Sequence, residues 1–558
     1  MNSKEQLSFD VAMDKVQLLH AGKLTCLYQH GKLRYIRHGD EEIVRTIYSA
    51  VRDENWNTAP YEISNEEIIQ KDRGFKIRYT AHCRMKNIAY DIFTEITAEE
   101  DTIEFAIRGT ALSDFKRNRI GICLLHPVSF AVQHAVDITN PSGTALLHNF
   151  PSTISPHQPA KDIRRMVWKS NSSNHTIEFF GDIFETEDQR NWTDSSFKTY
   201  STPLELPLPV DVKTGEVVEQ KILVIINEQK NTIAQTLSNE SAVVDVPFPK
   251  IGFSKTPGQS LDIEEISMLQ NILFNHYSVE LYLSSAGWKN ELHSAAGESK
   301  QLGVKLQLTC FFDDSYITQF AELCDTLRSG NHSPESILVL GLTKRSDPKT
   351  FHDIYSAIKQ SNPSIAVGYG TNGHFADLNR NLPVGLKYDF VSFGLTPQAH
   401  STDTFSLLEN LDNQDDIIKT IRTHLGKIPI HVSPITFKAR KQSLYSENGA
   451  PADFDNRQHL ELGAAWVMRT LQNFAGTSVT LFDAVGYKGL ISDEHRRNGK
   501  PSPLYELLRK LKAFHPVCFR RGLQKDELSI LLLNEKEEEF VIELDQYFRN
   551  YRLFMPTQ

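Results

Sequence analysis

The sequence predicts a multidomain fold: an N-terminal β-sandwich, a central (β/α)8 TIM barrel and a small C-terminal β domain. Three observations predict it. Short strand-like segments separated by polar or glycine turns fill the first part of the chain. Apolar runs that alternate with helical segments follow, which is the pattern of a parallel βα array. A helix and two further strand-like segments end the chain. We therefore expect domains over residues 1–245, 246–498 and 499–558.

Repeated short strands predict the N-terminal sandwich, because more than 200 residues of such segments are typical of two packed sheets. Two late segments, 204–207 and 220–226, are expected to close it. Loops of such a domain would carry its chemistry. The other strands are predicted at residues 23–28, 33–37, 76–81, 88–95, 102–107 and 120–125.

Eight apolar runs predict the barrel, in which active sites lie at the carboxyl ends of the strands. Helices are predicted at 262–277, 316–328, 349–360 and 457–474 from acidic first turns and apolar spacing of three and four. The strands are predicted at residues 250–254, 279–284, 304–309, 337–341, 365–369, 390–394, 428–433 and 479–483.

The C-terminal domain is predicted from a helix at 504–514 and strands at 528–534 and 539–545. The charged residues 535–538 between these strands are expected to form a solvated hairpin turn. Nothing in this part of the chain indicates catalysis.

Composition narrows the class of protein. The net charge of −10 and the pI near 6.1 give no basic surface for nucleic acid. No stretch approaches the apolar length of a membrane span, and the N-terminus lacks a signal-peptide core, so we expect a cytoplasmic protein. Six cysteines without Cys-x-x-Cys spacing are expected to be reduced core thiols. Oligomeric state is not predicted.

Residues 187–200, EDQRNWTDSSFKTY, concentrate reactive side chains of several kinds. No apolar period of 2 or 3.6 residues runs through them, so burial of one face does not explain their composition. A solvated charged loop is the alternative, and three aromatic residues disfavour it. The segment is therefore a candidate site, whose charged members are Glu187, Asp188, Arg190, Asp194 and Lys198.

Polar side chains also follow the later barrel strands. Their convergence at the barrel mouth would suit a polyol-sized ligand. They are Asn372, Asp377, Asn379 and Arg380 after strand five, Gln398 and His400 after strand six, Arg440 after strand seven, and Asp483 and Tyr487 at strand eight.

The 187–200 segment, followed by STPLELPLP, resembles the signature of the D-apionate lactonase family. The resemblance extends over residues 120–490 and implies hydrolysis of a five-membered sugar lactone, with D-apionolactone opened to D-apionate in apiose catabolism. Several positions depart from the family pattern: Asp377 and Asp483 replace glutamates and Lys488 replaces an arginine, which leaves a different lactone or sugar acid as an alternative. The other matching segments are FP at 150–151, ISPHQP at 154–159, GTN at 370–372, DLNRN at 377–381, TPQAH at 396–400, and Arg457 with GAAW at 463–466.

Lactone opening needs a nucleophilic water, donors for the oxyanion and an acid for the ring oxygen. No Gly-x-Ser-x-Gly occurs, which disfavours a serine acyl-enzyme. We expect as base either Asp483 or a carboxylate of the 187–194 segment, such as Glu187 or Asp188, with His400 as proton donor. The oxyanion stabiliser is expected among Arg190, Lys198 and Arg440. Substrate contacts are expected from Asn191, Trp192, Lys198, Asn372, Asp377, Asn379, Arg380, Gln398, Arg440 and Tyr487.

Three alternatives stay open. A glycoside hydrolase needs two carboxylates flanking the bond, and the ends of strands four (341–345) and seven (433–436) have none, which leaves Asp377 and Asp483 as the barrel-end carboxylates. A non-catalytic carbohydrate-binding protein is the second alternative.

No cofactor is expected, but a divalent metal is the third alternative, with ligands from His126, His157, His374, His400, Asp377 and Asp483. For Arg457, an ion pair at the start of its helix is the alternative to a ligand contact.

Overall fold

The structure is a computed structural model that describes residues 16–170, 173–228, 243–440, 454–522 and 529–544. These residues divide into two compact units. Unit 1 lies within Met1–Gln189 and Ser196–Asn239, and unit 2 within Arg190–Ser195 and Glu240–Leu553. The short segment Arg190–Ser195 therefore belongs to the second unit, although both of its flanks belong to the first.

The described part of unit 1 is built from antiparallel strands and the short helix α1 (Val128–Gln133). Its strands are β1 (Gln17–Ala21), β2 (Leu24–Gln29), β3 (Lys32–His38), β4 (Glu41–Asp53), β5 (Tyr61–Lys71), β6 (Gly74–Met85), β7 (Ile88–Glu99), β8 (Thr102–Ala111), β9 (Phe115–Pro127), β10 (Ala135–Thr139), β11 (Ala145–Asn149), β12 (Ala160–Ile163), β13 (Arg165–Lys169), β14 (Ser173–Phe180), β15 (Phe184–Asp188), β16 (Ser196–Tyr200), β17 (Val210–Val212) and β18 (Val217–Glu228).

Within the described residues these strands form two sheets. The first has the order β1-β2-β3-β4-β9-β16-β15-β12, with β17 beside β9, and the second has the order β11-β10-β13-β14-β18-β8-β7-β6-β5. Burial alternates along β7 as expected for a strand with one face on a core. One hydrophobic cluster contains Ile47 and Ile122 of the first sheet and Ile96 and Phe105 of the second. The sheets therefore pack face to face, which confirms the predicted sandwich.

The predicted strands of unit 1 are confirmed except one. Residues 204–207 form turns rather than a strand. The backbone N–H of Leu204 donates to the Glu185 carboxylate at 2.9 Å, and Pro207 has no N–H to give to a sheet. The segment therefore cannot supply the donors that a sheet strand requires.

Unit 2 contains the barrel. Neighbouring barrel strands pair in parallel, and β20 pairs with β27, so the sheet closes. All eight predicted barrel strands are confirmed. The strands of unit 2 are β19 (Val244–Pro247), the barrel strands β20 (Lys250–Ser254), β21 (His276–Tyr282), β22 (Lys305–Phe312), β23 (Ser336–Gly341), β24 (Ala366–Gly370), β25 (Phe390–Leu395), β26 (Ile430–Ile435) and β27 (Ser478–Asp483), and then β28 (Pro516–Arg521), β29 (Ser529–Asn534) and β30 (Glu539–Glu543).

Helices connect and follow these strands. They are α2 (Ile263–Gln270), α3 (Trp288–Leu302), α4 (Tyr316–Ser329), α5 (Pro348–Ser361), α6 (Phe375–Arg380), α7 (Thr404–Glu409), α8 (Gln414–Leu425), α9 (Glu461–Asn473), α10 (Asp493–Asn498) and α11 (Pro503–Phe514).

Local chemistry sets the limits of these helices. A capping box between Asp262 and Glu265 starts α2. The predicted continuation of α2 to residue 277 is wrong, because Asn275 exchanges hydrogen bonds with the backbone of Ile251 in β20, at 2.7 and 2.8 Å. The chain is thereby already in the barrel sheet before β21 begins. Helix α9 starts at Glu461 rather than at residue 457, because a 3-10 turn, Asn456–His459, precedes it.

The small sheet has the order β19-β28-β29-β30. The predicted helix 504–514 and the exposed turn at 535–538 are confirmed, as are the two later strands within the described residues; positions 528 and 545 lie outside them. Strand β28 was not predicted. Because β19 pairs with β28, residues 244–247 share a sheet with the C-terminal strands. The predicted boundaries of the three domains stay a prediction.

All six cysteines are free thiols: four are buried, and Cys324 and Cys518 are partly exposed. Burial raises the pKa of Cys26 to about 12, so its thiol is unreactive near neutral pH. Across the part of the chain that the structure describes, no helix is long and apolar enough to span a bilayer. The cytoplasmic location stays a prediction.

Two buried histidines make stability pH-dependent. Burial lowers the pKa of both His126 and His276 to about 3. An unfolded histidine titrates near 6.5, so the unfolded state binds the proton first as the pH falls. The free energy of unfolding is expected to fall by about 2 kcal/mol per histidine between pH 7 and pH 5, and this loss continues towards pH 3.

Urea unfolding at pH 7 and pH 5 checks this. His126→Gln and His276→Gln should each reduce the pH dependence, whereas exposed His352→Gln should leave it unchanged. An equal pH dependence in all four proteins would contradict the assignment.

Candidate active site

Residues 184–200 are buried, except Trp192, which is partly buried. Strands β15 and β16 pair antiparallel, and the 3-10 helix Gln189–Trp192 lies between them. The segment is therefore a loop only over residues 189–195, and the solvated-loop alternative is wrong. Because both faces of these strands are buried, no apolar period appears in the sequence.

The ends of the segment belong to unit 1. Glu187 and Lys198 are direct partners in the β15–β16 register, and their side chains form an ion pair. Burial lowers the pKa of Lys198, and the charge of Glu187 opposes that shift. Asp188 accepts a hydrogen bond from the backbone N–H of Ser155 at 2.9 Å. Asp188 thereby ties the segment to the ISPHQP turn, and Glu187 pairs with Lys198 across the two strands.

The middle of the segment belongs to unit 2. Arg190, 1% exposed, forms an ion pair with Asp416 in the first turn of α8, at 2.8 Å. The Asn191 amide oxygen accepts a hydrogen bond from the Asn379 side chain at 2.9 Å. Because buried Arg190 is paired with the partly exposed carboxylate of Asp416, its contacts indicate that it anchors the segment.

This anchoring presents Asp194 to His400. The Asp194 carboxylate lies 2.6 Å from Nδ1 of His400, which follows barrel strand β25. The Trp192 ring packs edge-on against the His400 ring, with centroids 5.4 Å apart. The Arg380 guanidinium lies over Trp192, 5.1 Å from the ring centre. A carboxylate on one imidazole nitrogen fixes the ring and its tautomer, which is the arrangement of a general base.

His374 lies close to the Asp194–His400 pair, which is called the dyad below. Burial lowers the pKa of His374, and the negative charges of Asp377 and Asp194 oppose that shift. Asn372, two residues earlier, reaches a second cluster at the barrel mouth. The backbone of Gly394 lies against the backbone of Asn372. Only glycine fits at position 394, because a Cβ there would lie 2.7 Å from the carbonyl oxygen of Asn372. The two clusters therefore adjoin through residues 372–374.

Glu280 is the centre of this second cluster. Both of its carboxylate oxygens accept hydrogen bonds from Arg440, at 2.8 and 2.7 Å, and the Asn372 side chain donates at 3.0 Å. Burial alone would raise the pKa of Glu280, but Arg440, Asn372 and the charge of Lys344 more than offset it, so the pKa lies below its usual value. Glu280 is therefore ionised at neutral pH.

The same cluster lines a cavity at the carboxyl end of the barrel. Asp483 and Lys488 also line this cavity, together with Lys255. Lys255 is buried and donates to both carboxylate oxygens of Glu298, at 3.0 and 3.1 Å. Its charge is therefore compensated within the barrel.

Glu280 and Lys255 were not predicted as site residues. The prediction that Asp377 and Asp483 are the barrel-end carboxylates was incomplete, because Glu280 lies inside the strand run V-E-L-Y-L. A charged residue within an otherwise apolar barrel strand is the signal that identifies it, since such a residue must point to a polar interior. Lys255 directly follows β20 and carries the same signal.

Other predicted residues have structural contacts. Gln398 donates to the carbonyl oxygen of Phe437 and to Asp455, both at 2.9 Å. Arg457 pairs with Asp455, which confirms the ion pair at the start of its helix. Tyr487 is 45% exposed and packs on Phe454. That Gln398 and Tyr487 contact the substrate stays a prediction.

Among the described residues, no group of three or more His, Cys, Asp or Glu side chains is arranged to hold a metal ion. His126 belongs to unit 1, where it contacts the Thr199 hydroxyl at 2.8 Å, whereas His374 and His400 belong to unit 2. Cofactor use stays a prediction.

Comparisons with known proteins cover most of the chain. The family model described as D-apionate lactonase, N-terminal domain, matches residues 6–229, and the model described as D-apionate lactonase, TIM barrel domain, matches residues 253–516. The D-apionate lactonase of Brucella anthropi is 26% identical over 530 residues, which span 88% of this chain and 86% of that protein.

Solved structures are more distant. A β-arabinopyranosidase is 10% identical, with 95% of this chain and 96% of that chain covered and a TM-score of 0.29. A galactose mutarotase-like protein from Clostridium acetobutylicum is 8% identical, with 38% of this chain and 95% of that chain covered and a TM-score of 0.24. At these TM-scores neither structure carries an argument about this protein.

The Glu280–Arg440 pair is expected to stabilise the barrel mouth modestly. Their side chains are 21% and 35% exposed, so a double-mutant cycle of Glu280→Gln and Arg440→Met should give a coupling free energy of about 1 kcal/mol at pH 7. The carboxylate pKa is lowered on folding, so the coupling is present above the unfolded value and is lost as the pH falls through the folded one. Chemical unfolding at pH 7 and pH 3 measures it. A coupling unchanged at pH 3 would show that the pair is not ionic.

Proposed function

The chain belongs to the D-apionate lactonase family and is a lactonase, and from this premise we propose that it opens D-apionolactone to D-apionate. Water attacks the lactone carbonyl, the ring C–O bond breaks, and a hydroxy acid leaves. Family membership disfavours the glycosidase and the non-catalytic alternatives. The proposed place of this reaction is apiose catabolism.

The observation that carries the mechanism is the 2.6 Å contact between Asp194 and His400 at the carboxyl end of the barrel. With Nδ1 bound to the carboxylate, Nε2 of His400 takes a proton from the attacking water. Asp194 then stabilises the imidazolium that forms. The tetrahedral intermediate collapses with cleavage of the ring C–O bond, and His400 returns the proton to the departing ring oxygen. His400 thus serves as base and then as acid.

Charge on the oxyanion requires a donor close to the dyad. Arg380 packs on Trp192, which packs on His400, so its guanidinium is the nearest such cation among these contacts. We assign it the oxyanion contact. The face of Trp192 offers an apolar platform for the sugar ring.

The adjoining barrel-mouth cluster suits the hydroxyl groups of the substrate. Asp483 and the Glu280–Arg440 pair present carboxylate and guanidinium groups to the cavity. The Asn372 amide donates to Glu280 beside them. Hydroxyl groups donate to carboxylates and accept from amide and guanidinium N–H groups, so this set binds a polyol.

Kinetics of site variants test the dyad. His400→Ala should lower kcat by about 100- to 10,000-fold because the base is lost, and Asp194→Asn should lower it strongly because the imidazole loses its orienting carboxylate. Asp483→Asn should raise KM more than it lowers kcat. Proton release from D-apionolactone, followed with a pH indicator, measures these constants, and His352→Ala is the matched histidine control. A large loss of kcat in Asp483→Asn with little effect in His400→Ala would instead make Asp483 the base.

A panel of pentonolactones and hexonolactones tests the substrate in the same assay. The shorter carboxylates Asp377 and Asp483 make a second lactone the competing outcome. Faster turnover of another lactone would reassign the substrate and keep the reaction class.

Chelator treatment tests the metal alternative. Because the dyad supplies base and acid, turnover is expected to be unchanged after dialysis against EDTA. Loss of activity that divalent metal restores would contradict this mechanism.

A further inference from the structure

Two arginines of unit 1 lie directly opposite each other on neighbouring strands. Arg52 of β4 and Arg119 of β9 are direct partners in the antiparallel register. They are buried, with 8% and 3% of their surface exposed. In the described ranges neither guanidinium has a carboxylate partner, and the Nε atoms of both are enclosed without a hydrogen-bond acceptor. The Trp56 carbonyl oxygen accepts a hydrogen bond from Arg52, at 3.4 Å.

This arrangement is unfavourable by itself. Like charges directly opposite in a sheet destabilise it, and a buried charge without a counter-charge costs several kcal/mol. Arg45, on the same strand β4, shows the usual solution: it is buried and pairs with Glu42. Replacing either arginine by an apolar residue would remove the repulsion between Arg52 and Arg119, yet the sequence has an arginine at both positions.

Nearby carboxylates are held elsewhere. Glu187 pairs with Lys198. Glu185 accepts from the Tyr200 hydroxyl at 2.6 Å and from the backbone N–H of Leu204 at 2.9 Å. Asp53, next to Arg52 in the chain, accepts from the backbone N–H groups of Asn55 and Asn57. None of these carboxylates therefore forms an ion pair with Arg52 or Arg119.

Two aromatic rings hold the Arg119 guanidinium, and one of them reaches the surface. The Arg119 guanidinium lies 3.5 Å from the centre of the Tyr200 ring and 5.3 Å from that of Trp56. Stacking on aromatic faces holds the plane of the guanidinium and leaves its edge for a ligand. Trp56 is 40% exposed, so the cluster reaches the surface at this residue.

We propose that Arg52 and Arg119 form a subsite for a small oxyanion, a carboxylate or a phosphate. Guanidinium groups bind both through paired N–H···O bonds. A sugar-acid carboxylate and inorganic phosphate are the two sources of such an anion, and the sugar-acid source rests on the proposed lactonase function. The anion supplies the negative charge that the fold itself does not provide.

Calorimetric titration of the full chain with inorganic phosphate and, separately, with D-apionate tests the subsite. At least one anion should bind, and Arg52→Met and Arg119→Met should each weaken that binding at least tenfold. Arg45→Met is the matched control: it removes a buried arginine of the same strand and should leave anion affinity unchanged. Phosphate binding alone would identify the inorganic source, and D-apionate binding alone the sugar acid.

Stability without ligand provides a second measurement. Arg52→Met should unfold at or above the urea midpoint of the parent protein in anion-free buffer, because one of two like charges is gone, whereas Arg45→Met should unfold earlier. Failure of both anions to bind, or equal binding by the Met variants, would overturn the proposal. Phosphate binding without turnover of any lactone would leave the subsite in place and reject the proposed substrate, so the two failures are distinguishable.

Discussion

Pairing of buried charge governs the segment from residue 184 to residue 200. Its strands are enclosed on both faces, so each ionised side chain needs a counter-charge or hydrogen bonds to replace water. Each has one: Glu187 has Lys198, Arg190 has Asp416, and Asp194 has His400. These contacts fix the backbone more strongly than apolar packing would, because charged partners tolerate little displacement. The position of the Asp194 carboxylate, and with it the orientation of His400, depends on this pairing.

The barrel positions the residues that contact segment 190–195, including His400. Strands β24 and β25 end side by side in the closed sheet, so the residues after them, Asn379 and His400, come from a rigid frame. Asn379 holds Asn191, and the side chain of Asn410 accepts the backbone N–H of Ser195 at 3.1 Å. The dyad is thereby supported on both of its sides. The proposed general base, His400, is held in a way that requires little reorganisation at the moment of reaction.

Local pattern predicted the barrel well and the site only in part. The barrel strands are continuous apolar runs, so their positions follow from the sequence, whereas the end of α2 depends on hydrogen bonds of Asn275 to β20 that no local pattern encodes. Segment 187–200 was identified by its composition, but its lack of period came from burial on both faces rather than from an exposed loop. The partner of Arg190 lies 226 residues further along the chain, and Glu280 is concealed within an apolar strand. Tertiary pairing decides the roles of such residues, and a single sequence does not record it.

Whether a buried charged side chain has a partner of opposite charge distinguishes residues that support the fold from residues that can bind a ligand. Arg190 and Lys255 are buried and have carboxylate partners, so a substrate anion would have to displace a counter-ion to reach them. The Glu280–Arg440 pair is partly exposed and lines a cavity, so its hydrogen bonds exchange with ligand hydroxyls at lower cost. Arg52 and Arg119 have no internal carboxylate at all within the described residues, so a bound anion there adds a counter-charge and displaces none. By this criterion the Glu280–Arg440 pair suits the neutral hydroxyl groups of the proposed substrate, and Arg52 and Arg119 suit the proposed anion.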